Sequence, residues 1–443
     1  MATVSSETPV TMKRMLPIIT ASTVGTAIEW YDFFLYGFLA ATVFPKVFFP
    51  EFSPLTGVLA SFSTYFIGFL ARPLGGGFFG WLGDRIGRKA TLVSTLLLMG
   101  IATALMGVIP GYTAIGALAP ILITLLRFLQ GAGVGGEWGG SVLLSLEYGD
   151  NRRRGFWSSW PQTGVPVGLA LAGLALLIFE SVFPGASFIS IGWRIPFFLS
   201  LLLVIVGLWI RLGILETPAF NRVKEENRLS RAPFTDAFKH HWREIILTAL
   251  VRSTEQAPFY IFTTFVLTYA VKVLGFPSTA PIFDGIIITA VIEFFTIPIF
   301  SMLSDRIGRK RWYATGCILM ALWAFPYYML LNTKNVGVII LAIVLSVALF
   351  HAWVYGPQAA FISERFGTNV RYSGASLGYQ LASITAGGPA PLIAVALLAA
   401  YHSYVPISIY IIIMALIAFV ATLLLKDYTS KAAEGDVPVG EVA

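Results

Sequence analysis

The amino-acid sequence predicts an all-α polytopic membrane protein with twelve transmembrane helices in two six-helix bundles. Composition is the first reason: 56% of the 443 residues are hydrophobic and 12% are charged, whereas soluble domains carry about 25% charged residues. The second reason is that apolar stretches long enough to cross roughly 30 Å of hydrocarbon recur along almost the whole chain. A charged loop that occurs twice is the third.

The repeated loop divides the chain into two halves. Residues 83–89, around Asp84, and residues 304–310, around Asp305, share the pattern Asp-Arg-Ile-Gly-Arg-Lys. The copies lie about half a chain length apart, and each stands between two apolar stretches. Recurrence at such a distance indicates two structural repeats.

The apolar stretches define the predicted spans and domains. The twelve spans are about residues 16–44, 54–80, 90–109, 115–147, 156–180, 193–214, 244–272, 282–303, 312–331, 336–360, 374–400 and 404–426. The domains are an N-terminal tail (1–15), an N-terminal bundle (16–214), a linker (215–243), a C-terminal bundle (244–426) and a C-terminal tail (427–443). The linker is too polar to insert into lipid, so we expect it on the cytoplasmic face.

The distribution of lysine and arginine predicts the orientation. Most of them lie in the two termini and in alternate loops. The loops on the opposite side contain only Lys46, Arg194, Lys272 and Lys334. Positively charged loops remain in the cytoplasm. We therefore expect a multi-pass protein of the inner or plasma membrane with both termini cytoplasmic.

Several classes of function are excluded by what the sequence contains. The single cysteine, Cys317, rules out an intramolecular disulfide and a cysteine-based metal site. The net charge of +7 comes from loops beside apolar spans, which argues against a nucleic-acid partner. The pattern contains no nucleophile–base arrangement, phosphate loop or metal-ligand spacing. We expect no enzyme activity, no metal and no cofactor. We also expect the protein to be a monomer, with the lipid bilayer as its surroundings.

Motifs in both halves resemble a known family. The stretch Gly80–Leu92 is similar to the loop signature of the major facilitator superfamily. Further stretches resemble its metabolite:proton symporter family, and they are residues 25–33, 72–76, 127–138, 192–198, 216–218, 355–360, 371–375 and 379–380. This resemblance implies a carrier of organic acids such as α-ketoglutarate, citrate or shikimate, or of zwitterions such as proline and betaine, together with a proton.

Ionisable residues inside the spans are the candidate site, because a charge at a helix centre costs at least about 2.5–3.5 kcal/mol. In the first span Glu29 and Asp32 are three residues apart and share a helix face. Arg127 enters from the fourth span at a similar depth. We predict that this guanidinium faces the two carboxylates, keeps one ionised and leaves the other to titrate. The alternative is a permanent ion pair that holds the two spans together.

The second half carries a comparable set. Arg252 and Glu255 are also three residues apart, in the seventh span, and Glu293 lies in the middle of the eighth. His351 lies in the tenth span, near the position that matches Arg127 in the repeat. Alternatively, Arg252 and Glu255 satisfy each other, and Glu293 and His351 are packed, hydrogen-bonded core residues.

Three groups of residues carry the predicted mechanism. The proton-coupling group is Glu29, Asp32, Arg127 and Glu293. The substrate-binding group is Arg127, Trp30, Tyr31, Arg252, Glu255, His351, Tyr355, Tyr379 and Gln380. The cytoplasmic gate is Asp84, Arg85, Arg88, Glu137, Glu147, Asp305, Arg306 and Arg309.

The predicted function is proton-coupled symport of a small organic acid by alternating access, with the substrate bound between the halves. A small-molecule substrate, an organic anion by preference, and protons are the expected partners. Two alternatives remain open at this stage: a symporter of a zwitterionic osmolyte, and a drug/proton efflux antiporter.

Overall fold

The computed structural model describes residues 12–86, 88–135, 137–213, 233–366 and 371–429, without the side chains of some residues in these ranges. Three predicted segments lie outside the described residues: most of the N-terminal tail, the linker up to residue 232 and the end of the C-terminal tail. The linker residues that follow belong to the helix Pro233–Val251, which bends at His241 (φ −130°). α7 continues from that bend.

All regular structure in the described ranges is helical, which confirms the predicted all-α class. The twelve main helices are α1 Met12–Thr42, α2 Pro54–Ile86, α3 Arg88–Met106, α4 Leu118–Val134 with its continuation Glu137–Tyr148, α5 Arg154–Val182, α6 Ile195–Gly213, α7 His241–Leu274, α8 Ala280–Ile307, α9 Arg309–Leu331, α10 Val336–Ser363, α11 Ser373–Tyr401 and α12 Val405–Leu424. Short helices Phe44–Val47, Tyr112–Ile115 and Ala186–Ser190 lie in the connections.

Nine segments of the described chain are long and apolar enough to cross a membrane. α3 and α4 contain the shorter apolar helices Val93–Met106 and Leu118–Val134. The remaining long helix, α1, has 31 residues and carries Glu29 and Asp32. The predicted and observed spans therefore correspond one to one, with ends that differ by a few residues.

Four helices differ from uninterrupted α-helix. α5 begins with Arg154–Ser159, passes through a 3₁₀ turn at Pro161–Thr163 and continues as Gly164–Val182, because Pro161 lacks the amide that would continue the ladder. α7, α10 and α11 contain π-helical turns, which often occur at functional sites. His351 is the last residue of the π-turn in α10.

Small residues allow α2 and α4 to pack backbone to backbone. A Cβ atom added to Gly131 of α4 would overlap the main chain of Gly68 in α2. Such close approach is typical of membrane helices that meet at small residues. It positions Arg127, one turn earlier in α4, beside α1 and α2. Across the bundles, α5 packs on α8, α2 on α11, and α1 on α7.

Candidate functional site

A chain of hydrogen-bonded polar side chains in the N-terminal bundle starts at Asp32. The Thr103 hydroxyl lies 3.1 Å from Asp32 Oδ2, and Gln130 Nε2 donates to the same hydroxyl at 2.7 Å. Gln130 Oε1 accepts a hydrogen bond from Arg127 Nη1. All four side chains are buried. Helices α1, α3 and α4 thus meet in one polar chain that runs from a carboxyl group to a guanidinium.

Arg127 does not contact the carboxylate of Asp32 directly, contrary to the prediction. Thr103 and Gln130 stand between the two groups, and no ion pair joins them in the part of the chain that the structure describes. The Arg127 guanidinium instead faces aromatic rings, and it lies 4.2–4.7 Å from the ring centroids of Phe33, Tyr36 and Tyr65. Sequence reasoning missed Thr103 and the role of Gln130. The spacing of Gln130, three residues after Arg127, was the available signal.

The other predicted residues of α1 surround Asp32 in different ways. Glu29 is buried close enough to Asp32 for their charges to interact. Trp30 packs against Phe33, with 5.6 Å between ring centroids. Tyr31 donates its hydroxyl proton to the Pro196 carbonyl at 2.7 Å, so its hydroxyl is engaged with α6.

The C-terminal bundle holds a second polar cluster, centred on Glu255. Arg252 Nη2 lies 3.0 Å from Glu255 Oε2, which is the internal pairing that the spacing left open as an alternative. Gln256 and Gln358 donate to the same carboxylate at 2.8 and 3.0 Å. Arg252 also donates to the Tyr379 carbonyl at 2.6 Å. Glu255 therefore accepts from three donor groups, which is the environment of an ionised carboxylate.

His351 links this cluster to α8. Its Nδ1 lies 2.6 Å from Glu293 Oε1, and its Nε2 lies 3.6 Å from Glu255 Oε1. The imidazole stacks between Phe259 and Tyr355, with centroid separations of 4.3 and 4.8 Å. Four predicted residues from three helices (α7, α8 and α10) therefore form one cluster, which we call the Glu293–His351–Glu255–Arg252 cluster.

Tyr379 and Gln380, predicted as binding residues, connect the two bundles. The Tyr379 ring stacks on Trp138 of α4 with 3.9 Å between centroids, and the Arg252 guanidinium lies 3.3 Å from its centroid. Gln380 Nε2 donates to the Gly135 carbonyl at 2.9 Å. Both residues thus belong to the contact between α4 and α11.

Aromatic rings separate the two polar clusters. Three rings of α1 contact rings of the C-terminal bundle, with centroid separations of 6.1, 5.7 and 5.3 Å: Phe33–Tyr260, Phe34–Phe259 and Phe38–Phe283. Both polar clusters adjoin this layer. In the N-terminal bundle, Phe33 of the layer directly follows Asp32, and in the C-terminal bundle, Phe259 of the layer stacks on His351.

The second loop copy joins the bundles at one end. Asp305 accepts hydrogen bonds from the backbone amides of Gly155 and Phe156, at 2.9 and 3.0 Å. Arg309 pairs with Asp305 at 2.6 Å and with Glu364 at 2.8 Å. Burial raises the pKa of Glu364, while the Arg309 guanidinium acts in the opposite direction. The prediction overlooked Glu364 and the amide acceptor role of Asp305.

Of the remaining gate residues, Arg306 is the one whose side chain the structure describes. Arg306 is exposed. The side chains of Asp84, Arg85, Arg88, Glu137 and Glu147 lie outside the described residues.

A cavity of 480 Å³ lies at the opposite end of the molecule, between the two bundles. Its walls include Lys46 and Glu180 from the N-terminal half, and Lys272 and Thr279 from the C-terminal half. Thr279 donates a long hydrogen bond of 3.5 Å to Glu180 across the interface.

Comparison with known proteins places the chain in a family. The sequence pattern of the Major Facilitator Superfamily matches residues 23–389, which include most of both bundles. The protein belongs to the major facilitator superfamily. As a superfamily member it is a multi-pass membrane transporter of a small molecule, and the prediction that it is not an enzyme is confirmed.

Curated relatives of this superfamily member are carriers of small metabolites. It is 39% identical to the Shikimate transporter of Escherichia coli K12 over 424 residues, 95% of this chain and 97% of the relative. It is 37% identical to the Inner membrane metabolite transport protein YhjE of the same organism, over 93% and 94% of the two chains. The Glycine betaine/proline/ectoine/pipecolic acid transporter OusA of Dickeya dadantii is 33% identical over 96% and 86%. The resemblance to the metabolite:proton symporter family is thereby confirmed.

The fold is shared with a solved superfamily structure. A partially occluded inward open conformation of the xylose transporter XylE from E. coli superposes with a TM-score of 0.72 at 20% identity, over 94% of this chain and 99% of that chain. At 20% sequence identity, this structural similarity is evidence for a shared fold and not for a shared substrate. It confirms the predicted major facilitator fold.

Proposed function

We propose that this transporter carries a small organic acid and a proton together, by alternating access between the two bundles. The observation that carries the proposal is the presence of two buried charge clusters, one in each bundle, on either side of the aromatic layer. Each cluster contains a guanidinium, Arg127 or Arg252, whose geometry matches a carboxylate. The 39% identity to a shikimate carrier over nearly the whole chain supports the same substrate class.

The hydrogen-bond inventory at Thr103 supports a coupling role for Asp32. A threonine hydroxyl has one proton to donate, and Thr103 Oγ1 lies 2.8 Å from the Met99 carbonyl, which can only accept. When that proton goes to Met99, the 3.1 Å contact with Asp32 Oδ2 is satisfied only if the carboxyl group carries its own proton. Protonation of Asp32 in this closed arrangement, and its release when the site opens, would couple proton and substrate. We keep Glu29, Arg127 and Glu293 in the proposed coupling set.

We propose that the substrate carboxylate binds where the two clusters face each other. Arg252 is already paired with Glu255, so the substrate would exchange for an internal partner. Arg127 has two nitrogens without a hydrogen-bond partner in the described structure, and it is the more available guanidinium. The other proposed binding residues are Trp30, Tyr31, Glu255, His351, Tyr355, Tyr379 and Gln380.

The proposed cytoplasmic gate comprises the two loop copies and the start of α5. The hydrogen bonds from Gly155 and Phe156 to Asp305 support it. Asp84, Arg85, Arg88, Glu137, Glu147, Arg306 and Arg309 complete the proposed set. We also propose a monomer in the inner membrane with both termini cytoplasmic, and with the proton as coupling ion and no other cofactor.

A second candidate is symport of a zwitterionic osmolyte. The 33% identity to a betaine and proline carrier favours it, since the same acids could face an ammonium group. An efflux antiporter has no comparable support.

Uptake into proteoliposomes distinguishes these candidates. Purified protein would be reconstituted with an alkaline interior, and uptake of labelled shikimate, proline and glycine betaine would be compared with and without the pH gradient. We expect gradient-driven accumulation of shikimate. Accumulation of the zwitterions alone would reject the organic-acid proposal, and the absence of gradient dependence for all three would reject symport.

A further inference from the structure

We propose that Glu293 and His351 form a second proton-binding site, separate from Asp32, and that His351 is an imidazolium in the closed structure. The inference adds a second proton site to the proposed symport. Only its transport experiment depends on the proposed function. It assigns the proton to a defined position, between Glu293 Oε1 and His351 Nδ1, and predicts two protons in each transport cycle.

The first argument is the number of hydrogen-bond donors at the imidazole edge. Both ring nitrogens of His351 face a carboxylate oxygen, Nδ1 at 2.6 Å and Nε2 at 3.6 Å. A neutral imidazole has a proton on only one nitrogen, and an ionised carboxylate can only accept. With Glu293 ionised, both contacts are favourable together when both nitrogens carry protons. The contact at Nε2 is longer than a hydrogen bond and is therefore an electrostatic one. The contact to Glu293 is shorter than an ordinary N–H···O hydrogen bond, as charge-assisted hydrogen bonds are.

The second argument is the charge of the buried cluster. Arg252 contributes one positive charge, and Glu255 is held ionised by Arg252 and two glutamines. A neutral His351 beside an ionised Glu293 would leave one uncompensated negative charge among groups that are at most 2% exposed. Buried unpaired charges are costly. One additional proton makes the cluster neutral.

The third argument is the way in which the ring is held. Phe259 and Tyr355 cover the two faces of the imidazole. Their π-faces favour a cation, and they restrict the ring so that its nitrogens point at the carboxylates. The charged and titratable groups around His351 in the described chain are Arg252, Glu255, Glu293, Tyr313, Tyr355 and Tyr379.

Contacts to the other bundle explain how movement would release the proton. Phe259 touches Phe34 of α1 across the aromatic layer, with centroids 5.7 Å apart. On the other side of the imidazole, Gln162 of α5 donates to the Tyr355 carbonyl at 2.5 Å. Separation of the bundles breaks both contacts and admits water to the cluster. The proton on Nδ1 then leaves to the side that has opened.

Nitrogen NMR of the protein in lipid bilayers tests the protonation state without any substrate. The chain has four histidines, so ¹⁵N-histidine labelling gives few signals, and loss of one signal in His351→Gln assigns it. At pH 7 we expect both His351 nitrogens to be protonated, and Glu293→Gln to convert the ring to the neutral form. His402, which is exposed, is the internal reference. Glu180→Gln, at the wall of the 480 Å³ cavity (the outer cavity), is the matched control. A neutral His351 in the wild-type protein overturns the inference, whatever the protein transports.

Transport by the reconstituted protein tests the proton count. Shikimate carries one negative charge, so movement with two protons carries net positive charge and responds to membrane potential, whereas movement with one proton does not. With no pH gradient, an inside-negative potential of about 100 mV should stimulate wild-type uptake several-fold, because one elementary charge gains about 2.3 kcal/mol. In Glu293→Gln the ratio of uptake with the potential to uptake without it should fall towards one, whatever the absolute rate of uptake. An unchanged response in Glu293→Gln contradicts the second site. If shikimate does not enter at all, the organic-acid proposal fails, and the NMR result decides the inference.

Discussion

The carboxyl group of Asp32 has two oxygens in different surroundings. Oδ2 lies against Thr103, whereas Oδ1 makes no hydrogen bond of ordinary geometry in the described structure, although the Ser200 hydroxyl of α6 is a neighbour of the carboxyl group. A buried carboxylate oxygen without a donor is unfavourable when the group is ionised. Both oxygens are acceptable when the group is protonated, which is why we select Asp32 as the first coupling residue.

Replacement of Asp32 by Asn should separate coupling from transport. The amide imitates a permanently protonated carboxyl group, so exchange of labelled for unlabelled substrate should persist. Accumulation against a gradient should fall by about tenfold for each pH unit of the gradient, since one of the two proposed protons no longer has a site. The matched control is Asp284→Asn, at an exposed carboxylate on α8. Accumulation that survives Asp32→Asn would remove this residue from the coupling mechanism.

At the scale of helices, the contact between α2 and α4 depends on glycine. Gly131→Ala would place a methyl group on the main chain of Gly68, and overpacking of this kind costs about 1–3 kcal/mol. Gly77→Ala in α2 is the matched control, because a Cβ there meets no atom within 4 Å. We expect thermal unfolding in detergent at a lower temperature for Gly131→Ala, and at an equal or higher temperature for Gly77→Ala. Equal midpoints for both variants would contradict the close approach of α2 and α4.

The junction between α8 and α5 depends on Asp305. Asp305→Ala removes the acceptor of two backbone amides, and hydrogen bonds to a charged group are worth about 1.5–3 kcal/mol. The population of the closed arrangement at this end should therefore fall by roughly tenfold or more. A cysteine at Ser158, buried at this junction, reports the change through its rate of maleimide labelling in a Cys317→Ser background.

Labelling should be faster in Asp305→Ala than in the parent protein. Arg311→Ala is the control, since Arg311 is exposed, lies close to Asp305 in the chain and is not part of the proposed gate. Equal rates in Asp305→Ala and Arg311→Ala would argue against a gate at this position.

For the whole molecule, the proposed orientation can be tested on the intact cell. Ser53 lines the outer cavity and Thr429 lies beyond α12, at the opposite end. In a Cys317→Ser background, an impermeant maleimide should label Ser53→Cys in whole cells. It should label Thr429→Cys only after the membrane is opened. The reverse pattern would invert the topology inferred from the basic loops.

Several features of the molecule could be predicted from local patterns. Hydropathy identified every main helix, because a span must be apolar over its length. The spacing of Arg252 and Glu255 allowed an ion pair as one of two alternatives, and this pair forms within one turn of a single helix. The interruption of α5 follows from Pro161 in the same way.

Partners on different helices could not be predicted, because hydropathy does not determine how each helix is rotated about its axis. Hydropathy and spacing were enough for the helical membrane class, the two repeats and the charged residues in the middle of the spans. The packing of the helices was needed to show that Thr103 and Gln130 stand between Asp32 and Arg127, that Glu293 meets His351, and that Asp305 meets Gly155. Each of these contacts joins residues that are distant in the chain, and it exists because close helix packing brings particular faces together.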